Sequence, residues 1–271
     1  MRRFSLPAII ILVGGLIALI GPVLPLEPDR IELAKILGAP EWQAWLGYDD
    51  LGRSIGQRLI MGAHTSFLVA SGVVMVSFLS GTLLGMLGAW FGGPWDKGLV
   101  SIIDIFIAFP GILLAIALAG LLGPGLMNAV LALTVTGWVG FARLARAQTL
   151  SMKHRDHVEA ARALGSGTVT IVSRHLLPLI LAPLIIEATF AIAGVVIAEA
   201  SLSFLGLGVQ PPAASWGSMI RDGTRYMLVA PHMVLAPGLA IFLVVIAINL
   251  LGDRLRDAMD IKEISANRDE T

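Results

Sequence analysis

The chain has 271 residues, 56% of them hydrophobic and only 14% charged, with a mean hydropathy of +0.83. Soluble domains carry roughly a quarter charged residues, so the composition is that of an integral membrane protein. A formal net charge of zero offers no global field for nucleic acid, and the absence of cysteine excludes disulfides and thiolate metal sites while leaving the redox compartment open.

A helix needs about 20 mostly apolar residues to cross the hydrocarbon core. Six stretches qualify: Leu6–Leu24, His64–Phe91, Gly98–Leu122, Leu126–Phe141, Leu179–Leu205 and Met227–Leu251. The first follows Arg2 and Arg3 and lacks a small-residue cleavage pattern, so it is expected to be retained as a signal anchor. Gly92–Lys97 reads as a short turn between the second and third stretches, and Gly123-Pro124-Gly125 as a hairpin turn between the third and fourth. Continuous apolarity without alternation argues against a β-barrel.

Lysines and arginines set the expected orientation. Arg2 and Arg3, the connection bearing Arg143, Arg146, Lys153, Arg155, Arg162 and Arg174, and the tail bearing Arg254, Arg256, Lys262 and Arg268 fall on one side of a six-span arrangement. Both termini are therefore expected in the cytoplasm. On the other side, Glu27–Met61 contains a helical-looking Ile31–Leu37, and Asp49 or Asp50 there could cap a short helix leading into the second span. The loop Gly206–Tyr226, with Pro211-Pro212 and Trp216, is expected to fold back as non-helical backbone against the membrane or a partner.

The run Val158–Pro178 is polar and helix-forming, yet lies between apolar stretches. Glu159, Ala160 and Ala161 precede Leu164-Gly165, where glycine can adopt positive φ without steric cost. Thr168–His175 then reads as a second short helix that Pro178 ends. Composition alone fits a solvated amphipathic connector as well as it fits a docking knuckle. Within the spans, Asp104 and Glu187 read first as helix-packing acceptors, whereas the face of Glu199, Ser201 and Ser203 is an open candidate for a polar pathway, with Asp104 a further candidate. The five histidines show no metal-binding spacing, and no phosphate-binding G-x-x-x-x-G-K-[ST] run is present.

Several blocks occur in order along the chain: LGYDDLGRSIGQRLIMGA from Leu46, Asp104 with Phe109-Pro110, Trp138 with Ala142-Arg143, and Glu159-Ala160-Ala161 with Gly165. They are followed by Arg174-His175-Leu176-Leu177-Pro178, EASLSFLGLG from Glu199, Pro211-Pro212 with Ser215-Trp216-Gly217, and NLLGDRLRD from Asn249. This ordered set resembles the dipeptide/oligopeptide/nickel branch of ATP-binding-cassette (ABC) importer permeases. The Glu-Ala-Ala segment is similar to the loop that seats such permeases on their ATPase. Leu179 departs from that branch, which often has Asn after the proline; His175 departs from the general loop pattern but not from the branch.

The resemblance implies an all-α polytopic membrane protein with six transmembrane helices and the type I ABC importer permease fold, in a bacterial cytoplasmic (inner) membrane. It divides the chain into an N-terminal helix with an extracytoplasmic segment (1–63), a permease core (64–256) containing the docking loop (149–178), and a cytoplasmic tail (257–271). It implies docking through Glu159, Ala160, Ala161, Leu164 and Gly165, and binding-protein contact at Pro211, Pro212 and Trp216. Expected partners are a homologous second permease, two ATPase subunits that hold ATP and Mg, an extracytoplasmic substrate-binding protein and the bilayer. The chain itself is expected to carry no cofactor, no metal and no catalytic residue, and to bind no nucleic acid. Di- or oligopeptide import leads; nickel or metal-chelate uptake is the alternative within the family, and an ion-coupled secondary transporter the rival from another class.

Overall fold

The computed structural model describes residues 6–42 and 44–269, with side chains described within 7–42 and 44–259. Arg2, Arg3, Lys262 and Arg268, used above for orientation, lie outside the described side chains. Among the described residues the chain is helical: α1 (Leu6–Ile20), α2 (Ile55–Phe91), α3 (Gly93–Ala108), α4 (Gly111–Leu122), α5 (Leu126–Met152), α6 (Asp156–Ala163), α7 (Thr168–Thr170), α8 (Leu177–Phe204), α9 (Trp216–Thr224) and α10 (His232–Asp269), with short 3₁₀ and π segments between some of them. Four helices are long and apolar enough to span a membrane, and a fifth span results if α3 and α4 count as one; α1 is apolar but shorter.

Three expectations change here. The expected third span is not straight: α3 and α4 meet at an 87° bend. Phe109 is extended (φ −103°, ψ 140°), as the clash with a following proline ring requires, and Pro110 directly precedes the next helix, its carbonyl accepting the Leu114 N–H. The expected turn at 92–97 shrinks because α3 already begins at Gly93 with Pro94 in its first turn, where its missing N–H costs nothing. Finally, Pro178 does not end a helix. A π segment, Ile171–Leu176, leads directly into α8, and the chain is helical from Thr168 to Phe204. The wider i→i+5 turn makes room for a proline ring that would crowd an α-helical carbonyl.

By contact density the chain forms two compact units, residues 1–73, 115–133 and 192–251 in the first, and 74–114, 134–191 and 252–271 in the second. In the first unit, Ile55, Ala63, Ala70, Val196, Trp216, Met219, Ala230 and Met233 form one buried cluster, and Val69, Val73, Ala115, Ala119, Ala129 and Leu202 another. His64 Nδ1 lies 2.7 Å from the Ala18 carbonyl and fastens α2 to α1. In the second unit, Gly81 and Gly85 bring α2 against α5 so closely that an added Cβ would overlap the carbonyls of Trp138 and Ala142. This small-xxx-small spacing permits close backbone approach in membranes, where packing rather than hydrophobic exclusion drives association. Edge-to-face pairs Phe78–Phe141 at 5.6 Å and Phe106–Trp138 at 5.7 Å fill the remaining space.

Candidate functional site: an exposed knuckle and a buried loop

The knuckle is built around α6. Its eight residues, DHVEAARA, end at Ala163, Leu164 is the C-cap, and Gly165 takes φ +82°. The Ser166 N–H donates to the Ala161 carbonyl and the Gly165 N–H to the Arg162 carbonyl, both at 3.0 Å. That pairing closes the helix with a glycine-dependent C-terminal cap. Val158 and Ala161 face inward and are buried, as are Ile171 and Leu176 of the following segment. Glu159, Ala160 and Gly165 face outward, and Leu164 and Val169 are 87% and 80% exposed. Of the five expected docking residues, Ala161 alone supports the knuckle from within.

Two contacts hold the knuckle to the end of α2 inside the second unit. The Arg162 guanidinium lies 5.1 Å from the centre of the Trp90 ring, a cation–π distance. Lys153 Nζ donates to the Ala89 carbonyl at 3.1 Å. Nearby, Arg146 grips Asp96 with two hydrogen bonds of 2.6 and 2.7 Å, the bidentate geometry that makes arginine–carboxylate pairs strong.

The 206–226 loop has a different character. Residues from Trp216 form a helix, α9, rather than irregular backbone. The Ser218 N–H donates to Ser215 Oγ while the Ser215 N–H donates to Ser218 Oγ, a reciprocal cap. Trp216 is buried (6% exposed), donating its indole N–H to the Leu59 carbonyl at 3.0 Å. Gly217 lies so close to α8 that a Cβ would overlap the Ala200 carbonyl. Pro211 and Pro212 are exposed. Trp216, expected at a partner surface, is therefore occupied by the chain's own core, and of the three expected contact residues Pro211 and Pro212 are on the surface.

A charged cluster that the sequence reading did not single out fixes this loop and the 27–54 segment. The expected helix at Ile31–Leu37 is a single 3₁₀ turn at Leu33–Lys35. Asp49 caps no helix; its Oδ1 accepts the Leu51 and Arg53 N–H groups and its Oδ2 accepts Arg53 Nε at 2.7 Å. Arg58, 4% exposed in the first turn of α2, lies 3.6 Å from Asp49 and donates to Asp29 at 3.1 Å and to the Pro212 carbonyl at 3.4 Å. The D-x-x-x-R spacing of Asp49 and Arg53 was visible, but nothing local announces a partner 154 residues away. Asp50 stands apart: burial, then the Asp49 charge, pushes its carboxyl above the usual range, and the nearest cation, Arg53 Nη2, is 3.8 Å away.

Glu199, Ser201 and Ser203 do not share one surface. Glu199 is buried at 1% exposure and accepts from Ser66 at 3.0 Å and from Ser203 at 2.7 Å. Ser203 Oγ also accepts the Val209 N–H. Both side chains are thus spent on joining α8 to α2 and to the start of the 206–226 loop. Ser201, on another face of α8, donates to the Ile197 carbonyl of its own helix. Asp104 is exposed on α3. Among the described residues no group of three or more His, Asp or Glu side chains is placed to hold a metal.

Comparison with known proteins shows the family. Residues 81–262 match the family described as binding-protein-dependent transport system inner membrane component. The glutathione transport system permease protein GsiD of Pectobacterium atrosepticum is 44% identical over 223 residues, covering 82% of this chain and 74% of its own length. Proteins of the same name from Escherichia coli O6:K15:H31 and Shigella boydii serotype 4 match to the same extent. A structure of the MetNI methionine ABC transporter in an inward-facing conformation superposes with a TM-score of 0.62 over 75% of this chain and 97% of that one, at 22% identity, a likeness of fold. The chain therefore belongs to the binding-protein-dependent transport system inner membrane components, as a multi-pass membrane subunit of an ABC importer in which ATP is bound and hydrolysed on separate ATPase subunits.

Proposed function

We propose that the chain is one half of the membrane pathway of a short-peptide importer and that α6 is the element through which an ATPase subunit drives it. The exposed knuckle carries this reading. Leu164 at the end of α6 and Val169 in α7 project from a knuckle that Val158, Ala161, Ile171 and Leu176 hold from within, and no other part of the second unit fills the space at Gly165. A large apolar side chain exposed on a rigid support, beside Glu159 and Ala160, has the character of an anchor for a partner's groove. The Arg162–Trp90 and Lys153–Ala89 contacts would pass a displacement of α6 to α2, and the unbroken helix from Thr168 would pass it to α8.

In this reading α1 is the sixth span, both termini and the knuckle lie in the cytoplasm, and residues 64–256 form the permease core between an N-terminal segment (1–63) and a tail (257–271). A homologous second permease completes the pathway, and Pro211 and Pro212 meet the extracytoplasmic binding protein. The permeases named for glutathione, a tripeptide, favour short peptides over nickel chelates as cargo. The test is Leu164→Asp in the whole transporter. Loss of the ATPase subunits from the purified complex, with the permease still inserted, supports docking at α6; full retention with normal peptide uptake overturns it.

A further inference from the structure

Carboxylates on the membrane-spanning helices are accounted for unequally. Glu199 is satisfied by Ser66 and Ser203, and Asp96 by Arg146. Asp104 lies within electrostatic reach of Arg146. Glu187, in the middle of α8, is different. It is half-buried, and no hydrogen bond or ion pair to it is found among the described residues. Its Oε1 lies 3.2 Å from the point where a Cβ on Gly140 of α5 would stand. Gly140 is exposed and keeps the space beside the carboxylate open; one turn further along α5, Arg143 is exposed too.

A charge turned toward hydrocarbon is strongly disfavoured, so an ionisable side chain in a span faces protein or water. The surface of the second unit that carries Gly140, Arg143 and Glu187 is thereby marked as turned away from lipid. Ile185, two residues from Glu187 and so on the opposite side of the helix, is 43% exposed and apolar; it has the character of the lipid side.

We propose that the Gly140–Glu187 surface lines a water-filled passage and that Glu187 is the carboxylate that receives the ammonium end of a peptide as it crosses. The inference rests on the short-peptide reading above. It moves the acidic pathway role from Glu199, whose oxygens are already used, to a carboxylate with free acceptor capacity. Gly140 is its positioning residue, because a Cβ there would stand 3.2 Å from Oε1 and press on the carboxylate.

The absence of cysteine makes the test direct in the assembled transporter in membrane vesicles. Glu187→Cys should react with a water-soluble cationic methanethiosulfonate at least tenfold faster than Ile185→Cys, and saturating peptide should slow only the former. Gly140→Cys reads the same surface if Glu187→Cys does not assemble. Glu187→Gln should lower peptide uptake per ATP hydrolysed about fivefold or more with the ATPase subunits retained, and Glu187→Asp should restore most of it. Equal labelling at positions 187 and 185, the result expected if a second permease covers Glu187, overturns the passage. Unchanged uptake by Glu187→Gln overturns the ammonium contact. Labelling of Glu187→Cys as expected, together with a wild-type complex that imports no peptide, removes the peptide reading and leaves the passage standing.

Discussion

Two loops of this chain carry a glycine beside a motif expected at a partner surface, and the structure uses them in opposite ways. Gly165 has φ +82° and open space around it, so its lack of a side chain serves the backbone turn that closes α6. Gly217 has no room for a Cβ, so its lack of a side chain serves contact between α9 and α8. Around Gly165, Leu164 and Val169 stand in the open; around Gly217, Ser215, Trp216 and Met219 are buried. A loop motif can therefore set its glycine among exposed side chains in one place and serve an internal fit in another. The position of the neighbouring side chains distinguishes them.

Substitutions at the two loops should separate these roles. The largest loss of stability is expected at the buried side. Asp49→Ala leaves buried Arg53 with only Asp50 at 3.8 Å and buried Arg58 with only Asp29, and should cost about 3–5 kcal/mol, seen as a sharp fall in the thermal midpoint of the detergent-solubilised transporter. Trp216→Ala should cost about the same, roughly 3–5 kcal/mol, with poor accumulation of the chain in the membrane; a stable variant that merely lost binding-protein contact would return Trp216 to the surface. Gly217→Ala should cost roughly 1–3 kcal/mol through overpacking. Gly165→Ala should cost about 1–2 kcal/mol, the strain of a Cβ at positive φ, and should disturb ATPase coupling more than thermal stability.

The smallest effect concerns pH. Asp50 holds its proton more tightly in the folded chain than in the unfolded one, so it favours folding below its unfolded pKa and opposes folding above it. Asp50→Asn should therefore stabilise the transporter at neutral pH, by about 0.5 kcal/mol at most. That advantage should vanish as the pH falls through the folded and then the unfolded pKa of the carboxyl. A midpoint difference that does not change with pH would show that Asp50 is not strained by its charge.

Hydropathy made most of the spans legible, because a run of apolar residues in these helices has no other use. It reports depth but not direction, so it could not show that the Glu199 oxygens meet Ser66 and Ser203 while Glu187 Oε1 stands beside Gly140. The bend before Pro110 was readable from the proline and was hidden by the continuous apolarity around it. At Pro178 the same rule misled, since the π segment absorbs the ring without a break. Trp216 was ambiguous in principle, because an apolar residue in a loop marks a core position or a contact surface equally well. The Arg58 cluster depends on residues far apart in the chain, and its pairing has no local signature.

The most direct measurement is cross-linking from single cysteines placed in this otherwise cysteine-free chain. One cysteine replaces Leu164 on the knuckle and another replaces Leu228, which is 99% exposed beyond α9. With a thiol-to-amine cross-linker in the assembled transporter, position 164 should capture an ATPase subunit and position 228 should not. Capture of the ATPase from position 228 and none from position 164 would contradict both the docking role of α6 and the side of the membrane assigned to it.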